Sequence, residues 1–207
     1  MREAVGNGYR GPLWDKLAAE GHPLDFVGTL RGGSMSDPDN EGHSGYRIDQ
    51  IAALADASLT RHRPNVVTLE ISTNDLNGNY QPATATARLK SLVNQITAAV
   101  PDATVLVASL VVSTSGTVEQ YRASYNQAAP HIVSEARAAG KHVAYVDMSS
   151  LTTADLTDTL HPNDTGYVKI ADAFHRGIQS ADSAGWLRNT AQLDHSDAAS
   201  RTARARQ

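Results

Sequence analysis

The chain has 207 residues, of which 41% are hydrophobic and 19% are charged, and its formal net charge at pH 7 is −4. This length favours one domain with a sizeable core. The negative balance and the lack of a long basic run argue against nucleic acid as a partner, because that affinity comes largely from clustered Lys and Arg. The sequence has no cysteine, which excludes disulfides, thiolate metal sites and cysteine nucleophiles.

Helical and strand patterns alternate along the chain, and strands separated by helices of this length predict a parallel sheet with helices on both faces. In chain order, the spacing of apolar residues predicts helices over 13–20, 47–59, 83–100, 118–139 and 163–180. It predicts a short buried strand over 24–30 and further strands over 66–71, 104–112 and 142–148. Pro130 is expected to kink or split the helix over 118–139. The pattern then fades, so we predict a domain over 1–182 and a disordered tail over 183–207.

Membrane, metal and cofactor signals are missing from the sequence. No apolar run is long enough to span a bilayer, so we expect no membrane span. The eight histidines form no H-x-x-x-H pair and there is no glycine-rich phosphate loop, so we expect no metal and no cofactor. No signal peptide opens the chain at Met1, and we expect secretion only for a full-length form. The oligomeric state does not follow from the sequence.

Three polar clusters adjoin the predicted strands, at residues 41–46, 72–75 and 158–162. In an open parallel sheet, ligands bind at the carboxyl ends of the strands. Taken singly, each cluster has an ordinary interpretation: Asn74 as a turn residue, Gly45 as a glycine in an unusual dihedral, and Asp158 as a loop acid near a surface histidine. Their order and placement together predict a site at one edge of the sheet.

Four segments of the chain resemble the SGNH (GDSL-type) hydrolases, most of all their carbohydrate-esterase branch, which includes acetyl xylan esterases. They are D-F-V-G at 25–28, E-G-H-S-G at 41–45, T-N-D at 73–75 and D-x-x-H-P at 158–162. The resemblance implies a three-layer α/β/α, flavodoxin-like fold. It also implies a serine esterase that hydrolyses short acyl esters, with an acetyl ester or an acetylated saccharide as its substrate.

The same resemblance implies a role for each matching residue. His161 is the general base, Asp158 holds its imidazole, and Asn74 and Gly45 donate hydrogen bonds to the oxyanion. This chemistry is coherent, since an Asp–His pair activates a hydroxyl near neutral pH and each preorganised donor contributes roughly 3–4 kcal/mol. The family's third block usually reads G-x-N-D, whereas this chain has Ser72 in its first position.

The family's first block, Gly-Asp-Ser, is absent from this sequence. The first serine is Ser34, which lies beyond the first predicted helix and the strand after it. We therefore expect a sheet without its first strand, Met1 as an internal start, and a chain that is inactive as printed because it lacks the nucleophile. Ser44, in G-H-S-G-Y, approaches the elbow G-x-S-x-G and is the alternative nucleophile.

A non-catalytic relative that binds carbohydrate and has kept the cleft is the alternative function. Four aromatic side chains offer rings on which sugars could stack, namely Tyr9, Trp14, Tyr46 and Tyr80. Aromatic side chains more often serve core packing, which is the simpler interpretation of Trp14.

Overall fold

A computed structural model describes residues 6–187 of the chain. Within them the helices are α1 (Arg10–Ala19), α2 (Ile48–His62), α3 (Thr73–Asn77), α4 (Ala85–Ala99), α5 (Gly116–Ala138) and α6 (Asp164–Ser183). The strands are β1 (Leu30–Arg31), β2 (Asp39–Asn40), β3 (Val66–Leu69), β4 (Thr104–Ala108) and β5 (Val143–Val146). None of these helices is long and apolar enough to cross a membrane.

The three longer strands form a parallel sheet in the order β3-β4-β5. All five residues of β4 are buried, as the continuous apolar run predicted for a strand covered on both faces. β1 and β2 form a separate two-residue antiparallel ribbon. The carboxyl ends of β3, β4 and β5 therefore point the same way and define one rim of the sheet.

Helices cover both faces of this sheet. On one face, α2, α4 and α5 enclose a core that contains Leu89, Leu92 and Val93. On the other face, α1 and α6 enclose a second core that contains Leu17 and Phe174. The predicted three-layer α/β/α architecture with a parallel sheet is confirmed.

The prediction of a buried strand over 24–30 is wrong. Residues 22–28 have no regular secondary structure, and only Leu30 and Arg31 pair, as exposed residues of β1. The apolar pattern did identify burial, because Leu24 and Phe26 pack against the second core. In this segment, side chains accept backbone hydrogen bonds that a neighbouring strand would accept in a sheet. Phe26 N–H, for example, donates to Asp37 Oδ2 at 2.6 Å.

Pro130 does not split the helix in which it lies. α5 runs without interruption over 23 residues. Its neighbours Ala129, Ile132 and Val133 are buried in the first core. Because helices in proteins gain most of their stability from packing of the apolar face, this burial holds the helix continuous across the proline.

The folded part extends past residue 182. Ser183 ends α6, and the ring of Trp186 stacks on His142 with centroids 5.2 Å apart. The guanidinium of Arg137 lies 5.3 Å from the same ring. Residues 183–187 thus belong to the domain, whereas the rest of the predicted tail, 188–207, lies outside the described residues.

Candidate active site

Asp158 and His161 form a hydrogen-bonded pair in the connection between β5 and α6. Nδ1 of His161 lies 2.8 Å from Asp158 Oδ2 and 3.0 Å from Oδ1. Hydrogen bonds from the backbone N–H groups of Leu160 and His161, and from the His161 ring, lower the pKa of Asp158 to about 2. The carboxylate is therefore ionised at neutral pH and accepts a hydrogen bond from the protonated Nδ1 of His161. The His161 side chain is 68% exposed.

The loop that carries this pair is fixed to the loop after β4. Thr157 N–H donates to the carbonyl of His161 at 2.8 Å, which closes the loop on itself. The carbonyl of Thr159 accepts from Ser113 Oγ at 2.7 Å and from Thr114 N–H at 3.0 Å. The imidazole thus stands on a loop that is held from two sides.

Asn74 lies in the short helix α3, directly after β3. Its Nδ2 donates to the carbonyl of Tyr46 at 3.0 Å. A side-chain amide has two N–H donors, so this bond orients the group and leaves one donor for another acceptor. The bond also attaches Asn74 to the segment that contains Gly45.

Gly45 lies in a turn from His43 to Tyr46, closed by a 3.2 Å hydrogen bond from Tyr46 N–H to the carbonyl of His43. Its φ of 80° is left-handed, as the third residue of a type II turn requires, and glycine adopts it without steric cost. A Cβ at this position would meet no atom within 4 Å, so the tip of the turn faces open space.

Hydrogen bonds join the three polar clusters into one assembly. Asn74 connects to Tyr46, and farther along α3 the side chain of Asn77 accepts from Ser115 Oγ at 2.8 Å. Ser113, in the same loop as Ser115, donates to the loop of the Asp158–His161 pair. The four residues singled out by the sequence therefore lie on segments that meet at the carboxyl rim of the sheet.

The sequence analysis did not identify Arg88, which forms an ion pair with Asp75, the residue after Asn74. Its Nη2 lies 2.6 Å from Oδ1 of Asp75, a carboxylate that is fully buried. Asp75 Oδ2 accepts the N–H of Ile48, the first residue of α2, at 3.1 Å. The aspartate next to Asn74 thus fastens α3 to the helix that follows the Gly45 turn.

Known proteins share sequence features and the fold of this chain. A model of the GDSL-like lipase/acylhydrolase family matches residues 5–169. The chain belongs to this family. It is therefore, by family, a carboxylic ester hydrolase.

The chain is also similar to individual proteins. It superposes on the family 3 carbohydrate esterase of Clostridium thermocellum with a TM-score of 0.76 and 33% identity, covering 88% of this chain and 92% of that one. A mutant acetyl esterase with a bound acetate ion gives a TM-score of 0.77 at 25% identity, over 86% and 92% of the two chains. A protein of Acetivibrio thermocellus with the provisional name endoglucanase X is 36% identical over 135 residues, which is 62% of this chain. The match spans 56% of that relative's length.

The alternative nucleophile, Ser44, does not stand on a nucleophile elbow. An elbow places the serine on a sharp turn between a sheet strand and a helix. Ser44 lies in the exposed turn between β2 and α2, and β2 belongs to the small antiparallel ribbon, outside the parallel sheet.

Among residues 6–187, no group of three or more His, Asp or Glu side chains is arranged to hold a metal ion.

The four aromatic rings considered for sugar stacking are engaged within the protein. Their partners are Phe174 for Tyr9, Phe26 for Trp14, His43 for Tyr46, and the guanidinium groups of Arg47 and Arg88 for Tyr80. All four rings stay partly exposed, so the carbohydrate-binding alternative remains a prediction.

Ser72, the departure from the family's third block, is strained. Its φ of 103° lies in the left-handed region that favours glycine. The residue is only 1% exposed, and its side chain interacts with the hydroxyl of Tyr125, which itself donates to the carbonyl of Ile71 at 2.9 Å. The dihedral costs stability.

Ser72→Gly should therefore raise the free energy of unfolding by about 1–2 kcal/mol. Relief of the dihedral, which costs about 1–3 kcal/mol, exceeds the entropic cost of about 0.5–1 kcal/mol that glycine carries. Urea unfolding followed by circular dichroism measures the difference. Ser124→Gly, at an exposed position within α5, is the matched control and should destabilise the chain. A loss of stability in Ser72→Gly would contradict this interpretation.

Glu70, at the carboxyl end of β3, should make stability depend on pH. Burial raises the pKa of Glu70 to about 7, against the opposing effect of Thr73 Oγ1 at 3.4 Å. The folded state therefore holds a proton that the unfolded chain releases near pH 4.5, so stability falls as pH rises from about 4.5 to 7.

Glu70→Gln removes this titration. At pH 8 the variant should be more stable than the parent by about 3 kcal/mol, since each pKa unit corresponds to about 1.4 kcal/mol, and at about pH 4 the two should be equal. Urea unfolding at both pH values tests this. Glu135→Gln, on an exposed face of α5, should change stability by the same small amount at each pH. A Glu70→Gln difference that does not vary with pH would refute the expectation.

Proposed function

We propose that this chain carries the general base and the oxyanion-binding groups of a serine esterase that hydrolyses short acyl esters, acetyl esters among them. The observation that carries the proposal is the Asp158–His161 pair. An ionised carboxylate holds Nδ1 at 2.8 Å, and the ring remains 68% exposed at the rim where Asn74 and the Gly45 turn also lie. This is the arrangement that activates a hydroxyl for attack on a carbonyl.

The proposed mechanism assigns one step to each group. Nε2 of His161 removes the proton of a serine hydroxyl as that oxygen attacks the ester carbonyl. Asp158 keeps the other ring nitrogen protonated and stabilises the imidazolium that forms. The free N–H of Asn74 and the backbone N–H of Gly45 donate to the oxyanion. His161 then gives its proton to the departing alcohol, and a water molecule cleaves the acyl-enzyme by the same route.

The sequence has no serine at the position where the family places its nucleophile. It contains no Gly-Asp-Ser, and Ser44 lacks an elbow. We therefore propose that a polypeptide with this sequence alone does not turn over esters. Removal of a triad nucleophile leaves at most about 10³–10⁴-fold catalysis over water.

The similarity to carbohydrate esterases supports a saccharide as the alcohol part of the substrate. The Clostridium thermocellum protein, 33% identical over most of both chains, is a family 3 carbohydrate esterase. The acetyl esterase holds acetate, which supports a short acyl group. We propose an O-acetylated saccharide as the substrate class.

An extended chain tests the proposal. It adds a β-strand ending in Gly-Asp-Ser before residue 1, and its matched control ends in Gly-Asp-Ala. The Gly-Asp-Ser form should hydrolyse p-nitrophenyl acetate and release acetate from acetylated xylan, whereas the Gly-Asp-Ala form and the printed chain should not. Equal rates in all three would exclude this site as an esterase. Hydrolysis of p-nitrophenyl acetate without release of acetate from xylan would retain the esterase and exclude the saccharide.

A further inference from the structure

Glu41 is a partly buried carboxylate that the proposed mechanism does not use. Its Oε1 accepts from Thr29 Oγ1 at 2.9 Å, and its Oε2 accepts from Thr29 N–H at 2.9 Å and from Ser58 Oγ at 2.6 Å. Oε1 also lies 2.6 Å from Nε2 of His43. Desolvation opposes ionisation, but the hydrogen bonds from Ser58, His43 and Thr29 prevail and lower the pKa of Glu41 to about 2.

These partners connect Glu41 to two separate elements. Ser58 belongs to α2, which packs against the first core. Thr29 reaches the carboxylate because the backbone at Gly28 passes very close to Asn40, where a Cβ would lie 2.0 Å from the carbonyl oxygen of Asn40. Only glycine permits that approach. Glu41 is thus held by one residue of α2 and by one residue of the segment before β1.

His43 transmits this restraint to the turn that contains Gly45. The imidazole is 12% exposed, is bound by Glu41 at Nε2, and stacks on the ring of Tyr46 with centroids 4.9 Å apart and an interplanar angle of 28°. His43 and Tyr46 are the two ends of the turn, and a hydrogen bond between their backbones closes it. On its far side the turn is held by Asn74 at the Tyr46 carbonyl.

We propose that Glu41 is a positioning residue, which acts through His43 and Tyr46 to hold the backbone N–H of Gly45 in place. The inference rests on the proposed function in one respect, the role of Gly45 as a donor to the oxyanion. Gly45 needs such restraint because nothing packs at its tip. A donor must be preorganised to stabilise developing charge, and the Glu41–His43–Tyr46 contacts supply that order.

The first experiment measures rigidity in the printed chain and needs no activity. The ¹⁵N order parameter of the Gly45 amide should fall from about 0.85 to below about 0.6 in Glu41→Ala. In the parent, the ring ¹⁵N shifts of His43 should report the tautomer with a proton on Nε2, and Glu41→Ala should lose that preference. Asp39→Ala is the matched control, since its carboxylate pairs with Arg31 instead, and it should leave both signals unchanged.

A milder variant keeps the test decisive if Glu41→Ala does not fold. Ser58→Ala removes one hydrogen bond to Glu41 from outside the turn. It should give an intermediate order parameter for Gly45. A Gly45 amide that stays as rigid as in the parent, in either variant that folds, overturns the proposal.

The second experiment uses the extended chain that carries Gly-Asp-Ser. Glu41→Ala should lower kcat for p-nitrophenyl acetate by about 10–100-fold with KM unchanged, since a displacement of about 1 Å can cost about 100-fold. Loss of rigidity with unchanged kcat would overturn the link to catalysis. Failure of the extended parent to hydrolyse the ester would count against the proposed function, and the order parameters would still decide the positioning.

Discussion

His161→Ala should lower kcat for p-nitrophenyl acetate by about 10⁶-fold in the extended chain that carries Gly-Asp-Ser. Without the imidazole, no group removes the serine proton or protonates the leaving alcohol, and the remaining rate comes from the oxyanion donors and substrate binding. Asp158→Asn should retain more activity, with a loss of about 10⁴-fold, because the ring stays but in the wrong tautomer. Steady-state kinetics with purified variants would measure both losses.

A second histidine–carboxylate pair supplies the control for this experiment. His175 of α6 lies 3.0 Å from Oε1 of Glu20, on the helical layer formed by α1 and α6. His175→Ala removes a comparable pair outside the rim and should leave kcat within a few-fold of the parent. Full activity in His161→Ala, or an equal loss in both variants, would overturn the assignment of His161 as the general base.

Asp75→Ala should lower the free energy of unfolding by about 3–5 kcal/mol. Breaking a buried ion pair leaves the remaining charge without compensation, and the guanidinium of Arg88 is only 18% exposed. The substitution also leaves the N–H of Ile48 without its acceptor at the start of α2. Since a domain is stabilised by only about 5–15 kcal/mol, this single change removes a large share.

The pair between Lys90 and Glu135 is the matched control for Asp75. It has the same 2.6 Å separation, but its side chains are 52% and 61% exposed. Glu135→Ala should cost less than about 1 kcal/mol, because water screens exposed ion pairs. Urea unfolding of both variants compares the two losses directly. Equal losses would show that burial does not decide the contribution of Asp75.

Local sequence patterns predicted most of the regular elements because those patterns coincide with burial. The continuous apolar run of β4 and the helical spacing of Leu89, Leu92 and Val93 in α4 each correspond to buried faces. The structure shortens β4 to Thr104–Ala108, since pairing with β3 and β5 ends there. An apolar sequence pattern shows which segment is buried, whereas the length of a strand depends on the strands that pair with it.

The segment at 24–30 also shows that an apolar pattern predicts burial but does not by itself predict a strand. Its apolar residues are covered by the second core, but the backbone hydrogen bonds go to side chains such as Asp37. A strand is defined by partners that are distant in sequence, and no local pattern contains them. Pro130 is the converse case, where tertiary burial maintains a helix against an unfavourable local residue.

The sequence by itself predicted the class of fold, because strand–helix alternation is a local feature, and its resemblance to the SGNH hydrolases pointed to the four proposed site residues. It also showed that Ser72 stands where the family has glycine. Only the tertiary structure decided how those residues are held. The buried Asp75–Arg88 pair, the bond from Asn74 to Tyr46 and the bond from Ser58 to Glu41 join residues 13 to 28 positions apart. Such contacts depend on how helices and loops pack over the sheet, and the packing is fixed by the whole core at once.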